Sequence, residues 1–234
     1  MIMSDPILVE VLRGTRVESR HRGALAVVDA DGKAVLSLGD VESPIFPRSA
    51  VKALQAMVLV ETGAADAYGF GDEELALACA SHSGEPGHVA GVTRMLASAG
   101  LDVSALACSA HWPLSQPAMV VLARSGEPSA LHNNCSGKHA GFLCDACAMG
   151  VDHTGYWKPD HQVQRHVRAV LEELSGEVLG EDRCAIDGCS VPTWAVPLQN
   201  LALAFASMRV TPAICPGSPE CEAQASASSS SPKP

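Results

Sequence analysis

The sequence predicts an α/β protein of the α+β kind, and three observations carry that expectation. β-type segments gather early, at residues 7–12 and in a hairpin over 24–38. Helical patterns then follow one another from residue 49 to residue 174. Hydrophobic residues make up 47% of the chain and charged residues 18%, a balance that suits a packed core. Its 234 residues fit one domain, or one domain with a tail. A chain of this size hides roughly 70% of its unfolded surface. Aromatic residues are only 4%, so that core is built mainly from Ala, Val and Leu.

The elements follow in order. Ile7 to Leu12 reads as a strand. Leu25 to Val28 and Ala34 to Leu38 flank the turn Asp29-Ala30-Asp31-Gly32-Lys33. Pro44 and Pro47 interrupt the chain before a helical stretch, Ser49 to Glu61, that stops at Thr62-Gly63. Asp72 to Ala80 has an acidic first turn, and Gly87 to Ala99 is closed by Gly100. Ser136 to Met149 ends at Gly150. The clearest helix runs from Asp160 to Leu174, with apolar positions at Val163, Val167, Val170, Leu171 and Leu174. Arg183 to Ile186 suggests a strand, and Leu198 to Met208 an apolar helix. After Met208 the composition turns to Pro, Ser and Ala, too little apolar surface to offset ordering entropy. The expected organisation is therefore a domain over 1–208 and a disordered tail over 209–234.

Charge and cysteine usage exclude several classes. Lys plus Arg is 16 and Asp plus Glu is 26, a formal charge of −10, which argues against nucleic-acid and anionic-membrane partners. No apolar run approaches the roughly 18 residues of a membrane span. The start, Met1 to Pro6, has neither a basic region nor an apolar signal core, so the expected location is the cytoplasm. Nine cysteines in such a context read as free thiols, metal ligands or catalytic groups before disulfides.

Four stretches carry candidate chemistry. In Pro47-Arg48-Ser49-Ala50-Val51-Lys52, a helix opening at Ser49 places Lys52 one turn on, on the same face. A serine hydroxyl needs a base beside it, and a lysine amine serves once its pKa falls well below about 10.4. The plain alternative is an N-cap serine followed by a solvated lysine. Ser81-His82-Ser83-Gly84-Glu85-Pro86-Gly87-His88 is a polar loop between two helices, suited to holding or activating a substrate, or simply to capping. His132-Asn133-Asn134-Cys135-Ser136-Gly137-Lys138-His139-Ala140-Gly141 is dense in hydrogen-bonding and metal-capable groups, although it also suits a helix cap. Asp187-Gly188-Cys189-Ser190-Val191-Pro192 follows a short strand, where site residues are often presented. A competing four-cysteine zinc site would use Cys144 and Cys147 with Cys184 and Cys189, but the second pair is spaced too widely for the usual pattern.

Read together, these four stretches resemble the asparaginase II family of the rhizobial type, the Cys-Ser-Gly-Lys-His-Ala-Gly string being the most specific. The resemblance runs from about residue 7 to about residue 208. It implies a serine β-lactamase-like fold, with helices packed on a mainly antiparallel sheet. It implies hydrolysis of L-asparagine to L-aspartate and ammonia through Ser49 and Lys52, with Ser81 as a second essential serine. It implies zinc bound by Cys135, Lys138 and Cys189, with Arg48, His139 and Asp187 around that centre, and a homodimer. The family continues past residue 208 with more sheet and helix and a lysine that partners the second serine. The composition change at 208–209 then implies a truncated or frame-shifted copy. The alternatives are a non-catalytic remnant, a metal-binding module, or another serine–lysine acyl hydrolase acting on β-lactams or esters.

Overall fold

The computed structural model describes residues 5–29 and 31–208, so the expected tail over 209–234 lies outside the described residues. Within them the chain forms two compact units. The first takes in residues up to Phe46, Glu172–Val178 and the chain from Ala195; the second comprises Pro47–Leu171 and Leu179–Trp194.

The first unit is built on hairpins. Strands β1 (Ile7–Arg13) and β2 (Arg16–Arg22) pair antiparallel, as do β3 (Leu25–Val28) and β4 (Ala34–Leu38). The turn into β4 is held by the Asp29 carboxylate, which accepts from the N–H groups of Asp31 and Lys33 at 3.1 and 2.8 Å. Strand β2 escapes sequence reading because Arg16, Glu18, Arg20 and Arg22 leave no apolar face. Cross-strand ion pairs accompany its pairing instead: Arg20 to Glu10 at 2.8 Å, and Arg13 to Glu18 around the turn at 2.6 Å. A short β5 (Pro44–Ile45) pairs with β8 (Val196–Pro197), and the expected apolar helix appears as α8 (Leu198–Ser207), packed on β3.

The second unit is helical around one element. The stretch predicted from Ser49 to Glu61 divides into a 3-10 turn, Arg48–Val51, and a helix, α1 (Lys52–Glu61). Then come α2 (Ala64–Ala67), α3 (Asp72–Cys79), α4 (Pro86–Ser98), α5 (Gln116–Ser125) and α6 (Ser136–Ala148). Helix α6 packs against α1, α3 and α4 and is buried from Ser136 to Ala146. That depth requires small residues: a Cβ on Gly137 would lie 2.3 Å from the Leu77 carbonyl oxygen, so α3 approaches only because position 137 carries none. Of helix α7 (Gln162–Ser175), the part up to Leu171 belongs to this unit and buries Val163, Val167, Val170 and Leu171, as its spacing predicts. A hairpin, β6 (Cys184–Ile186) with β7 (Pro192–Trp194), completes this unit.

The architecture is mixed helices with small antiparallel sheets. The sheet differs from expectation: the described strands form four separate two-stranded ladders, not one mainly antiparallel sheet. Every residue of β1, β2 and β4 is exposed, so these strands cover no shared buried face that would join them into one layer. Helices α2 and α5 are not among the predicted elements; α2 is one turn long, and no residue from Gln116 to Arg124 of α5 is buried, so its pattern carries no core-facing stripe. No helix among the described residues is long and apolar enough to cross a membrane.

One buried acid shapes the stability of this core. Asp145 on α6 is 0% exposed, and its Oδ2 has no hydrogen-bond partner among the described residues. The single Thr62 hydroxyl proton lies between Val58 O at 2.7 Å and Asp145 Oδ1 at 3.0 Å. A protonated Asp145 donating from Oδ1 to Thr62 Oγ1, while Thr62 donates to Val58, gives both hydroxyl protons an acceptor. Burial accordingly pushes the Asp145 carboxyl up to about 7 from the ordinary 3.8. The folded chain thus binds a proton that the unfolded chain releases between about pH 4 and about pH 7, so stability falls as pH rises through that window. The loss amounts to ~4 kcal/mol. Asp145→Asn, which keeps a donor toward Thr62, is expected to melt well above the parent at pH 8 and close to it at pH 4. Melting curves that separate by the same amount at both pH values would exclude this assignment.

Candidate active site

The chemistry collects in the second unit, around Lys52. This residue opens α1, and its side chain is 0% exposed. Its Nζ lies 2.7 Å from Ser81 Oγ, 3.3 Å from Asn134 O and 3.4 Å from Ala80 O. Three oxygens match the three protons of an ammonium group. They also match the neutral amine: two carbonyls take its two N–H donors, and the lone pair faces the Ser81 hydroxyl. Burial lowers the Lys52 pKa from its ordinary value, the nearby Lys138 charge adds to that, and Cys135 opposes it.

The serine that receives Lys52 is Ser81. Ser49 sits exposed in the 3-10 turn and its side chain makes no hydrogen bond among the described residues. Lys52 does follow Ser49 by one turn, its backbone N–H donating to Ser49 O, but this turn is 3-10 and the two side chains make no hydrogen bond with each other. Arg48, beside Ser49, holds φ at 51°, an uncommon conformation for a side chain of that size.

Ser81 is positioned by its neighbour. The His82 backbone N–H donates to Asn134 O at 3.2 Å, the same oxygen that accepts from Lys52. Its ring accepts from the Gly84 N–H through Nδ1 at 3.1 Å, so the ring proton sits on Nε2, which meets Ser136 Oγ at 2.8 Å. The Ser136 hydroxyl in turn donates to Leu131 O at 2.9 Å. Burial, with the charges of His88 and Lys52, pushes His82 down to about 4, which keeps it neutral for this role. Gly84 holds φ at 73°, and a Cβ there would lie 2.9 Å from His132 O, so the loop closes only on glycine.

A second cluster adjoins this pair. Cys135 occupies the N-cap position of α6, its N–H donating to Asn133 Oδ1 at 2.9 Å. Cys189 sits in the turn between β6 and β7, closed by Asp187 N–H to Val191 O at 2.9 Å, with Ser190 at φ 81°. The buried Lys138 amine reaches Cys189 Sγ at 3.3 Å. The Cys135 thiol is drawn down to about 6, first by a hydrogen bond from Cys189 and then by the charges of Lys138 and Lys52. The same hydrogen bond, with burial, pushes Cys189 up to about 11, so Cys135 is the thiol that ionises first. Arg48 Nε donates to Asp187 Oδ1 at 2.7 Å, and Cys189 Sγ lies 3.7 Å from Asp187 Oδ2. His139, fully buried, meets the Tyr156 hydroxyl at 2.6 Å through Nδ1.

The donor set here is two thiols and an amine. Among the described residues no three His, Cys, Asp or Glu side chains converge as metal ligands, which removes the four-cysteine alternative. Cys144 instead donates to Met95 O at 3.4 Å from within the core. All seven described cysteines are free. A divalent ion at Cys135 and Cys189 would thus depend on the Lys138 nitrogen as third donor, and the lowered Cys135 thiol suits that role.

Ser81 and His82 also line a recess of 360 Å³ with Leu77, Ala80, His88 and Arg94. A larger, mainly apolar pocket of 630 Å³, between α4 and α5, includes neither Lys52 nor the thiols. Sequence reading named Lys52, Ser81, His82, Cys135, Lys138, His139, Asp187, Cys189 and Arg48, with Ser49 at their edge, but not Tyr156 nor the roles of the Ala80 and Asn134 carbonyls. The last two act through backbone atoms, which no residue type signals, and Tyr156 sits in a loop with no periodicity.

No curated protein matches the chain. A family model described as L-asparaginase II matches residues 9–233, beyond the point at 208 where the sequence was set apart from that family. By that match, which takes in the Lys52–Ser81 pair and both thiols, the chain belongs to the L-asparaginase II family.

Proposed function

We propose that this protein hydrolyses the side-chain amide of L-asparagine, giving L-aspartate and ammonia, by acyl transfer through a serine. The observation that carries the reading is the buried Lys52 amine at 2.7 Å from Ser81 Oγ, with two carbonyls fixing its remaining protons. Neutral Lys52 takes the Ser81 proton as the oxygen attacks the amide carbon. The lysine then returns that proton to the departing nitrogen, releasing ammonia and leaving an ester on the serine. Water attacks that ester by the same proton path, freeing aspartate and restoring the hydroxyl. Arg48 and Asp187 offer a cation and an anion side by side, suited to the carboxylate and ammonium of an amino acid.

Cys135, Lys138 and Cys189 would hold zinc. When bound, the ion supplies positive charge that balances two thiolates and polarises a nearby oxygen. His139, behind Lys138, contributes a buried polar edge to the same centre. A cytoplasmic homodimer belongs to this reading as well.

A second reading keeps Ser49 as the nucleophile, passing its proton through Ser81 to Lys52. The strained Arg48 backbone next to Ser49, tied to Asp187, favours keeping it in view. Other acyl substrates remain a direct comparison: turnover of a chromogenic β-lactam or ester without ammonia release from asparagine would replace the amide reading.

Ser81→Ala is expected to lower ammonia release from asparagine by at least about 10³-fold. Activity within twofold of the parent would remove Ser81 from the reaction. Ser49→Ala separates the two serine assignments, since an acyl-enzyme trapped on Ser81 in that variant supports direct attack by Ser81. Because Lys52 must be neutral, kcat/KM should rise with pH and level off with a midpoint below the ordinary lysine value of 10.5. Elemental analysis of Cys135→Ala and Cys189→Ala is expected to show zinc lost relative to the parent; unchanged zinc content would reject this ligand set.

A further inference from the structure

Tyr156 and His139 are both fully buried, and their rings meet edge-on with centroids 5.5 Å apart. The Ala107 N–H donates to the phenol oxygen at 2.9 Å. The same oxygen lies 2.6 Å from His139 Nδ1. No other acceptor among the described residues lies within hydrogen-bond distance of that hydroxyl. If Nδ1 carried the imidazole proton, the phenol oxygen would receive two N–H donors and its own proton would be buried without an acceptor. Native interiors avoid that arrangement. The O–H therefore donates to Nδ1, and the ring proton resides on Nε2.

Nε2 is itself buried and has no hydrogen-bond partner among the described residues. Cys189 acts on this ring both as a hydrogen-bonding side chain and by charge, and Lys138 and Lys52 act by charge. We propose that Tyr156 is a positioning residue that holds His139 as its Nε2–H tautomer, so that the ring presents a hydrogen-bond donor, not a lone pair, to the Cys135–Lys138–Cys189 cluster. The donor serves a thiolate or a substrate oxygen, and His139 is not a metal ligand through Nε2. The tautomer stands on the hydrogen bonds alone, whereas its effect on turnover rests on the amidohydrolase reading.

Protein labelled with 15N-histidine decides it, the His139 signals being identified by their loss in His139→Gln. The wild-type spectrum should show an unprotonated Nδ1 and a protonated Nε2, unchanged by equimolar zinc. A protonated Nδ1, or loss of the Nε2 proton when zinc is added, would overturn the proposal. In Tyr156→Phe both tautomers should appear, and kcat for asparagine should fall about 10-fold with KM nearly unchanged. A single Nε2–H tautomer in that variant would take Tyr156 out of the role. Should His139→Gln fail to fold, loss of the same signals in His139→Asn identifies them, and the wild-type spectrum decides even where Tyr156→Phe fails to fold. A wild-type chain inactive on asparagine would sink the amidohydrolase reading and leave the spectra to judge this one.

Discussion

The described site depends on one lysine amine taken out of water. A buried ammonium group is costly unless its protons find acceptors, and Lys52 finds three oxygens from two loops. Those acceptors are not free to be elsewhere. Ala80 and Ser81 must leave α3 in the right direction, and Asn134 must enter α6 beside them. The demand of one charged group therefore ties α1, the 80–85 loop and the start of α6 into a single arrangement.

The second cluster obeys the same electrostatics. Two lysines and two thiols share one buried region, and each sign is tolerated because the other is close. The Cys135 thiol is lowered first by its hydrogen bond with Cys189 and then by its cationic neighbours, while that bond and burial raise Cys189. Close approach is what makes these effects large, and glycine permits it. Without a bare Gly137, α3 could not lie against α6 and Ser81 would be displaced from Lys52.

Local elements were legible where their periodicity was strong. The α7 apolar stripe and the hairpin over 24–38 follow from side-chain spacing and turn chemistry. Strand β2 was hidden by charges that pair across the hairpin, a contact with no signature within the strand itself. The 3-10 turn at Arg48–Val51 reads as helix in sequence because Ser49, Ala50 and Val51 suit either, and its i→i+3 bonds, Ala50 N–H to Pro47 O and Lys52 N–H to Ser49 O, set it apart.

By itself the sequence determined the chemical inventory: a chain of net charge −10 with Lys52, Ser81, Cys135, Lys138 and Cys189 set in specific polar strings. It also placed most of these residues at the ends of helices and turns, because such positions follow from nearest neighbours. Tertiary structure alone decided who meets whom. Lys52 bonds a serine 29 positions away and leaves the one three positions away, and Lys138 reaches a thiol 51 positions on. Spacing along a chain constrains contacts only within a turn or two of helix; beyond that, burial and the need to satisfy each polar group choose the partner.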